Sequence, residues 1–412
     1  MKIAFVSEHA SPLAAVGGPD SGGQNVHVAE LARALGTQGH QVTVYTRRDG
    51  TSLRDRVRLC RGVTVEHVPA GPPTVLPKDK LLPHMSAFGR YLADRWVREP
   101  PDVVHAHFWM SGLAALTGAR DHGLPVVQTF HALGAVKRRH QGAEDTSPEA
   151  RIRLEVAIAR DVAMVIATSS DEASELARLG VPAHCICVIP CGVNVTAFRP
   201  DGPVARRGAA PRLLAATRLV KRKGLDTVVQ ALSGVPDAEL VIAGGPPAAR
   251  LRGDPEYRRL VRLAGELGIA SRVSFRGRVA RQDMPALMRS ADLAVSVPWY
   301  EPFGMVPLEA MACGVPVVAS AVGGHNDTVV DGVTGVLVPP RQPDVLTRVI
   351  RDLLAGGKLP EFGSAAAERA RERYSWERIT QETIAVYERI RRVRGAAVSQ
   401  PPRAPQPSGA GQ

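Results

Sequence analysis

The chain has 412 residues, 44% hydrophobic and 4% aromatic, with 39 glycines and 33 prolines. That length suits two or three domains of about 150 residues, and the hydrophobic share excludes wholesale disorder. An excess of 52 basic over 40 acidic side chains leaves a net charge of +12, which fits a nucleic acid, an anionic membrane surface, a phosphorylated small molecule or simply a solvated basic face. No stretch approaches the ~18 consecutive apolar residues of a membrane-spanning helix. The opening MKIAFVSEH reaches Glu8 after a run too short for a secretory signal. Five cysteines are too sparse for a disulfide scaffold, so the expected location is cytoplasmic.

The first 50 residues read as strand, glycine loop, helix, strand. Ile3 to Val6 is a β-branched and aromatic run. HASPLAAVGGPDSGG is rich in breakers, and from Gln24 onward Val28, Leu31, Ala32 and Leu35 fall at helical spacing before the strand QVTVYTR. Further short apolar strands follow: VTVEHVPA, DVVHAHFW, PVVQTFHA and AMVIATSS. HCICVIPCGVN precedes FRPDGPVARRGAAPR, which reads as an interdomain linker. A second alternation then runs through RLLAATR, AELVIAGG, RVSFRG, DLAVSVP, VPVVAS and GVLV, with helices around 224–232 and 257–267. Two runs of strand–helix alternation predict an α/β protein with two doubly wound parallel sheets, their ligands in loops at the carboxyl ends of the strands.

The expected boundaries are a first domain at 1–198, a linker at 199–211, a second domain at 212–375, an amphipathic helix at 376–394 and a disordered tail at 395–412. Lys78 to Arg98 mixes basic residues with Leu, Phe, Tyr and Trp. It reads as a packed helix lining a cleft, or less readily as a helix lying on an anionic membrane.

Four loops carry chemistry. GGPDSGG at Gly17–Gly23 follows a strand and opens a helix, so its backbone amides suit a phosphate. It lacks the spacing of the dinucleotide fingerprint, which disfavours an oxidoreductase. In ATRLVKRKG, Arg218 ends a strand and Lys223 precedes a helix, a good clamp for a pyrophosphate. In WYEPFGMVPLEAMACGVPVVAS, Glu301 and Glu309 stand too far apart for a paired acid and base. They read as separate hydroxyl receptors, with the amides of Phe303, Gly304 and Met305 between them for phosphate. His105, His107 and His131 end adjacent strands, without an acidic or thiolate ligand at metal spacing, so they read as wall and hydrogen-bond donors. Asp-x-Asp occurs nowhere, which argues against a metal-bridged diphosphate. Scarce aromatics and the lack of a nucleic-acid motif disfavour a polyanion binder.

The set GGPDSGGQN, HAHFW, FHALGAVK, R-x4-KG and E-x7-E, in this order over about residues 1–390, resembles the family-4 retaining glycosyltransferases of GT-B architecture. The N-terminal half most resembles the branch of sucrose-phosphate synthase and the inositol-phosphate N-acetylglucosaminyltransferase of mycothiol synthesis. The resemblance implies two Rossmann-like domains facing across a cleft, and transfer of a hexosyl group from a nucleotide-diphosphate sugar, UDP ahead of GDP or ADP. The acceptor would be small and polyhydroxylated, anionic or lipid-linked, with no cofactor and no metal. A non-catalytic nucleotide-sugar-binding module on the same fold is the alternative. By the same resemblance Arg218 and Lys223 would hold the donor diphosphate, Glu309 the ribose and Glu301 a sugar hydroxyl. The amides from Phe303 through Gly304 and Met305 to Val306 would cradle phosphate or sugar oxygens, Gly23 would approach the β-phosphate, and the base would lie against Arg278 and Val279. His131 would contact the donor sugar. Asn25, Lys78, Phe108, Ala132 and Arg151 fall at acceptor positions. Phe108 and Ala132 replace a tyrosine and a threonine of the inositol-phosphate enzyme, so inositol 1-phosphate is expected to be a poor acceptor.

Overall fold

A computed structural model describes residues 1–14 and 22–398, with side chains to residue 393. Residues 15–21, which hold most of the first glycine loop, and residues 399–412 of the expected tail lie outside these described residues.

The N-terminal lobe is built on β1 (Lys2–Val6), β2 (Gln41–Arg47), β3 (Arg56–Cys60), β4 (Val63–Val68), β5 (Val103–His107), β6 (Val126–Thr129), β7 (Met164–Ala167) and β8 (Ile186–Val188). They form one sheet in the order β3-β4-β2-β1-β5-β6-β7-β8. Its helices are α1 (Gly23–Thr37), α2 (Met85–Arg98), α3 (Trp109–Ala119), α4 (Gly134–Gln141), α5 (Arg151–Asp161) and α6 (Ser170–Arg178). The C-terminal lobe has β9 (Arg212–Ala216), β10 (Glu239–Ala243), β11 (Val273–Gly277), β12 (Leu293–Ser296), β13 (Val317–Ser320) and β14 (Gly335–Val338), in the order β11-β10-β9-β12-β13-β14. Its helices are α7 (Leu225–Ser233), α8 (Pro255–Glu266), α9 (Met284–Arg289), α10 (Met305–Ala312), α11 (His325–Thr328), α12 (Pro343–Ala355) and α13 (Leu359–Tyr374), and α14 (Trp376–Val398) follows them in the chain.

Both sheets are parallel, as the alternating pattern predicts, except for β3, which pairs antiparallel with β4 at the edge of the first sheet. The apolar pattern does not predict β3, because RVRLC is half-exposed and charged, lacking the continuous apolar run of a strand buried on both faces. The interior strands show that run: every residue of β5, β6, β7 and β13 is buried.

Period-2 alternation divides the first lobe into two cores. Ala4 and Val6 join Phe88, Trp96 and Trp109 on one face. Ile3 and Phe5 join Leu31 and Leu35 on the other, together with Trp376, Ile379, Tyr387 and Ile390 of α14. The last helix therefore completes the core of the first lobe. A buried aromatic side chain removes roughly 150–250 Å² from water, about 4–6 kcal/mol at ~25 cal/mol per Å² before entropy is charged. The helix runs to Val398 rather than ending at Arg394.

Met85, Phe88, Leu92 and Trp96, the apolar stripe of α2, are all taken into the first core. Among the described residues no helix is long and apolar enough to cross a membrane.

Candidate active site

The two sheets turn the carboxyl ends of their strands toward a common cleft. In each sheet the winding direction reverses at the middle, between β1 and β5 and between β9 and β12, where the strand-end loops diverge and leave room for a ligand. The cavity there measures about 380 Å³ and is lined by loops of both lobes. His9 follows β1, Phe108 follows β5, His131 and Ala132 follow β6, Arg218 follows β9, and Glu301 follows β12.

Lys223 is brought in by Gly224, whose φ of +67° is natural for glycine. A Cβ there would come within 2.1 Å of the Val297 carbonyl oxygen, so only glycine lets this loop lie against the end of β12. Lys223 Nζ then reaches the Glu301 carboxylate. Burial alone would raise the Glu301 carboxyl, but the charges of Lys223, His325 and Arg222 outweigh it and hold the group at about 2. Burial pulls Lys223 below its ordinary value, against the opposing charge of Glu301. The Glu301 carboxyl is therefore ionised at neutral pH.

Glu309, on α10, is buried and paired with Arg281, whose guanidinium also lies 4.5 Å from the centre of the Phe198 ring. Burial raises the Glu309 carboxyl, opposed by Arg281. The two glutamates are therefore separately paired and do not form an acid/base couple. Between them α10 is preceded by Gly304, φ +93°, with no side chain capping its first amides. Phe303, Gly304, Met305 and Val306 line the cleft at the start of this helix, whose dipole is positive at that end. Across the cleft the start of α1 approaches closely: a Cβ on Gly23 would lie 3.4 Å from Met305 Sδ.

The histidines gather on the N-terminal wall. His131 has φ +61°, a left-handed backbone unusual for a non-glycine residue. Its Nε2 lies 3.1 Å from His107 Nδ1. His105 is tied to Tyr387 Oη at 2.6 Å and Thr129 Oγ1 at 2.9 Å. Burial depresses the pKa of all these rings, that of His27 to about 4, so they are neutral at pH 7. Ligand atoms of His27, His107 and His131 lie within 4.8 Å of one another, the one metal-sized grouping among the described residues, and it contains neither carboxylate nor thiolate.

At the acceptor-side positions, Asn25, Lys78, Phe108 and Ala132 line the cleft. Asn25 is engaged locally: its Oδ1 accepts from the Gly22 amide and its Nδ2 donates to the Ser11 carbonyl, both at 3.0 Å. Arg151 lies behind the wall, donating to Glu155, Ser147 and the Ala132 carbonyl. The Phe108 ring lies over it, 5.1 Å from the guanidinium and 5.3 Å from Lys78 Nζ. Arg278 and Val279 border the cleft after β11.

Sequence reasoning did not single out Arg222, Arg281, His325, His9 or Cys191. Arg222 stands beside Lys223 in KRKG and lies over the Tyr300 ring at 5.3 Å. His325, in the segment VGGHNDTVV, packs under Gly304 with Nδ1 3.0 Å from the Ser320 carbonyl. Cys191, whose setting in HCICVIPCGVN suggests a strand-end core residue, is buried yet borders the cleft. Neighbouring motif residues were the only available signal, since these contacts join distant segments.

The chain matches Glycosyltransferase Family 4 over residues 21–197 and Glycosyl transferases group 1 over residues 203–373. It is 37% identical over 404 residues to D-inositol 3-phosphate glycosyltransferase 1 of Catenulispora acidiphila, covering 94% of this chain and 95% of that protein. The chain belongs to the family-4, group 1 glycosyltransferases. The D-inositol 3-phosphate glycosyltransferase of Mycobacterium tuberculosis H37Ra is 36% identical over 405 residues, covering 94% of this chain and 83% of the relative. Among solved structures, sucrose-phosphate synthase of Thermosynechococcus elongatus superposes with a TM-score of 0.88 at 31% identity, covering 95% and 100% of the two chains. Anabaena HepE, solved with UDP-glucose, superposes with a TM-score of 0.74 at 24% identity, covering 94% and 100%, and shares the fold. This glycosyltransferase has the GT-B architecture of two Rossmann-like lobes, and group 1 enzymes bind a nucleotide-sugar donor and an acceptor.

Proposed function

We propose that this glycosyltransferase moves a hexosyl group from a nucleotide-diphosphate sugar, UDP ahead of GDP or ADP, to a small sugar-like or anionic acceptor, with retention of configuration and without a metal ion. The observation that carries this is the cleft's charge: among the described residues, Lys78, Arg218, Arg222, Lys223, Arg278 and Arg281 line it against two carboxylates, Glu301 and Glu309. Such a lining favours an anionic ligand. The C-terminal lobe, about residues 212–375, takes the donor, and the N-terminal lobe, about residues 1–198, takes the acceptor.

In this reading Arg218 and Lys223, with the first amides of α10, stabilise charge developing on the departing diphosphate. Gly23 lets the start of α1 approach the β-phosphate. Glu309 exchanges Arg281 for ribose hydroxyls, Glu301 accepts a sugar hydroxyl, the base lies against Arg278 and Val279, and His131 contacts the sugar. A double displacement needs a carboxylate under the anomeric carbon. Among the described residues the two carboxylates lining the cleft are each held by a cation, which supports departure and attack on one face instead, the leaving phosphate taking the acceptor's proton. Asn25, Lys78, Phe108 and Ala132 form the acceptor side, with Arg151 supporting the wall. A thermal-shift and hydrolysis panel of UDP-, GDP- and ADP-sugars tests the donor. NMR of the first-formed product tests retention, and activity in excess EDTA tests metal independence. An inverted product or an absolute Mg²⁺ requirement would overturn the corresponding part.

A further inference from the structure

The hydrogen bond between His107 and His131 has a direction that heavy-atom positions do not display, because either nitrogen could carry the shared proton. The remaining nitrogen of His107 decides it. His107 Nε2 is buried and has no hydrogen-bond partner among the described residues. If His131 donated, His107 would hold its own proton on Nε2 and bury an unpaired N–H. If His107 donates from Nδ1, Nε2 is a bare lone pair. Orphaned buried donors are rarer than under-satisfied acceptors. Protonating both nitrogens would place an imidazolium among three other buried imidazoles, and burial already disfavours that form.

We infer that His107 is a positioning residue that donates from Nδ1 to His131 Nε2, and so holds His131 as the Nδ1–H tautomer. His131 then offers the cleft a hydrogen-bond donor, suited to a hydroxyl or carbonyl oxygen of the substrate. The near-parallel stacking of the two rings, 26° apart, and the left-handed backbone of His131 fix the orientation in which that donor is held. The assignment deepens the proposed role of His131 and rests on it for its functional meaning, but the tautomer itself can be read without any substrate.

The test is long-range ¹H–¹⁵N NMR of the full chain labelled with ¹⁵N-histidine at pH 7, with His131 assigned from the spectrum of His131→Asn. Wild type should show His131 protonated at Nδ1 only. His107→Asn, which can keep a donor at the Nδ1 position, should preserve that signature. His107→Asp, which can only accept, should move the proton to Nε2 or make His131 an imidazolium. A wild-type Nε2–H tautomer or imidazolium overturns the inference without recourse to any variant, as does an unchanged Nδ1–H signature in folded His107→Asp. In hydrolysis of UDP-glucose, His107→Asp should lower kcat about tenfold or more at unchanged KM, the loss expected of one misdirected hydrogen bond, while His107→Asn stays within about threefold. Equal kcat in the two variants contradicts the positioning role. Absence of hydrolysis by wild type counts against the donor reading alone, and the NMR result stands apart from it.

Discussion

Lys223 and Glu301, 78 residues apart in sequence, form an ion pair in which each side chain is 16% exposed, at the point where the loops after β9 and β12 meet. The pair stabilises the loop and sets charge in the cleft, so the two effects separate under mutation. Lys223→Ala should lower turnover by about 10²–10³. It should also destabilise the protein by about 3 kcal/mol, because a buried carboxylate loses its partner. The double variant Lys223→Met with Glu301→Gln should recover much of the stability in urea unfolding and none of the turnover. Arg218→Ala should lower turnover similarly. Near wild-type kinetics in both basic variants would remove the diphosphate assignment.

Glu309→Ala should raise the donor KM more than it lowers kcat, since ribose contacts exist in ground and transition states alike. Initial-rate kinetics over a range of donor concentration distinguish this. A fall confined to kcat would place Glu309 in the chemistry instead.

The buried histidines predict acid sensitivity beginning well above the carboxylate range. Their folded pKa values are depressed, that of His27 from 6.5 to about 4. Below pH 6.5 the unfolded chain binds protons that the folded chain refuses. Each such histidine therefore costs up to about 1.4 kcal/mol per pH unit, until its folded pKa is reached. Glu301 is the opposite residue type with the same sign: its carboxyl lies near 2, so its contribution is complete above about pH 4.5 and lost as the pH falls toward 2. Chemical-denaturation stability should fall steeply from pH 6.5 to 4 and continue to fall below it. His27→Phe should flatten the upper part of that profile, and an unchanged profile would count against burial of a neutral His27.

Inositol 1-phosphate should be a poor acceptor, and so should the D-inositol 3-phosphate named for the relatives. Phe108 covers Arg151, and Arg151 already serves Glu155, Ser147 and the Ala132 carbonyl. On the proposed acceptor side, two missing hydroxyl donors at 108 and 132, each worth about 1.5–3 kcal/mol to a charged group, should weaken phosphate binding by roughly two to four orders of magnitude. Phe108→Tyr with Ala132→Thr should lower the acceptor KM. Efficient transfer to either phosphate by the unaltered protein, at micromolar KM, would restore an inositol-phosphate assignment.

Deleting residues from Trp376 onward should lower the melting temperature sharply, because Trp376, Ile379, Tyr387 and Ile390 fill the first lobe's core. A truncation after Val398 should leave it unchanged. Equal melting temperatures for the two truncations would contradict this placement of α14.

The local pattern of the chain was enough for the strand–helix alternation, the two parallel sheets and the loops that carry Gly23, Arg218, Lys223, Glu301 and Glu309. Each depends on near-neighbour signals: continuous apolar runs for buried strands, glycines where the backbone turns, and acids or cations at strand ends. β3 escaped because an edge strand need not be apolar. What only the tertiary structure decided was partnership. Lys223 meets Glu301, Arg281 meets Glu309, and His107 meets His131, each pair joining segments separated by at least one strand or helix. The same holds for α14, whose amphipathic period announces a buried stripe but not the lobe that buries it. The reason is physical: periodicity records how a segment divides between apolar and polar faces, whereas pairing of charges and tautomers depends on which distant loops share a cavity, and that is set by the order of strands in the sheets.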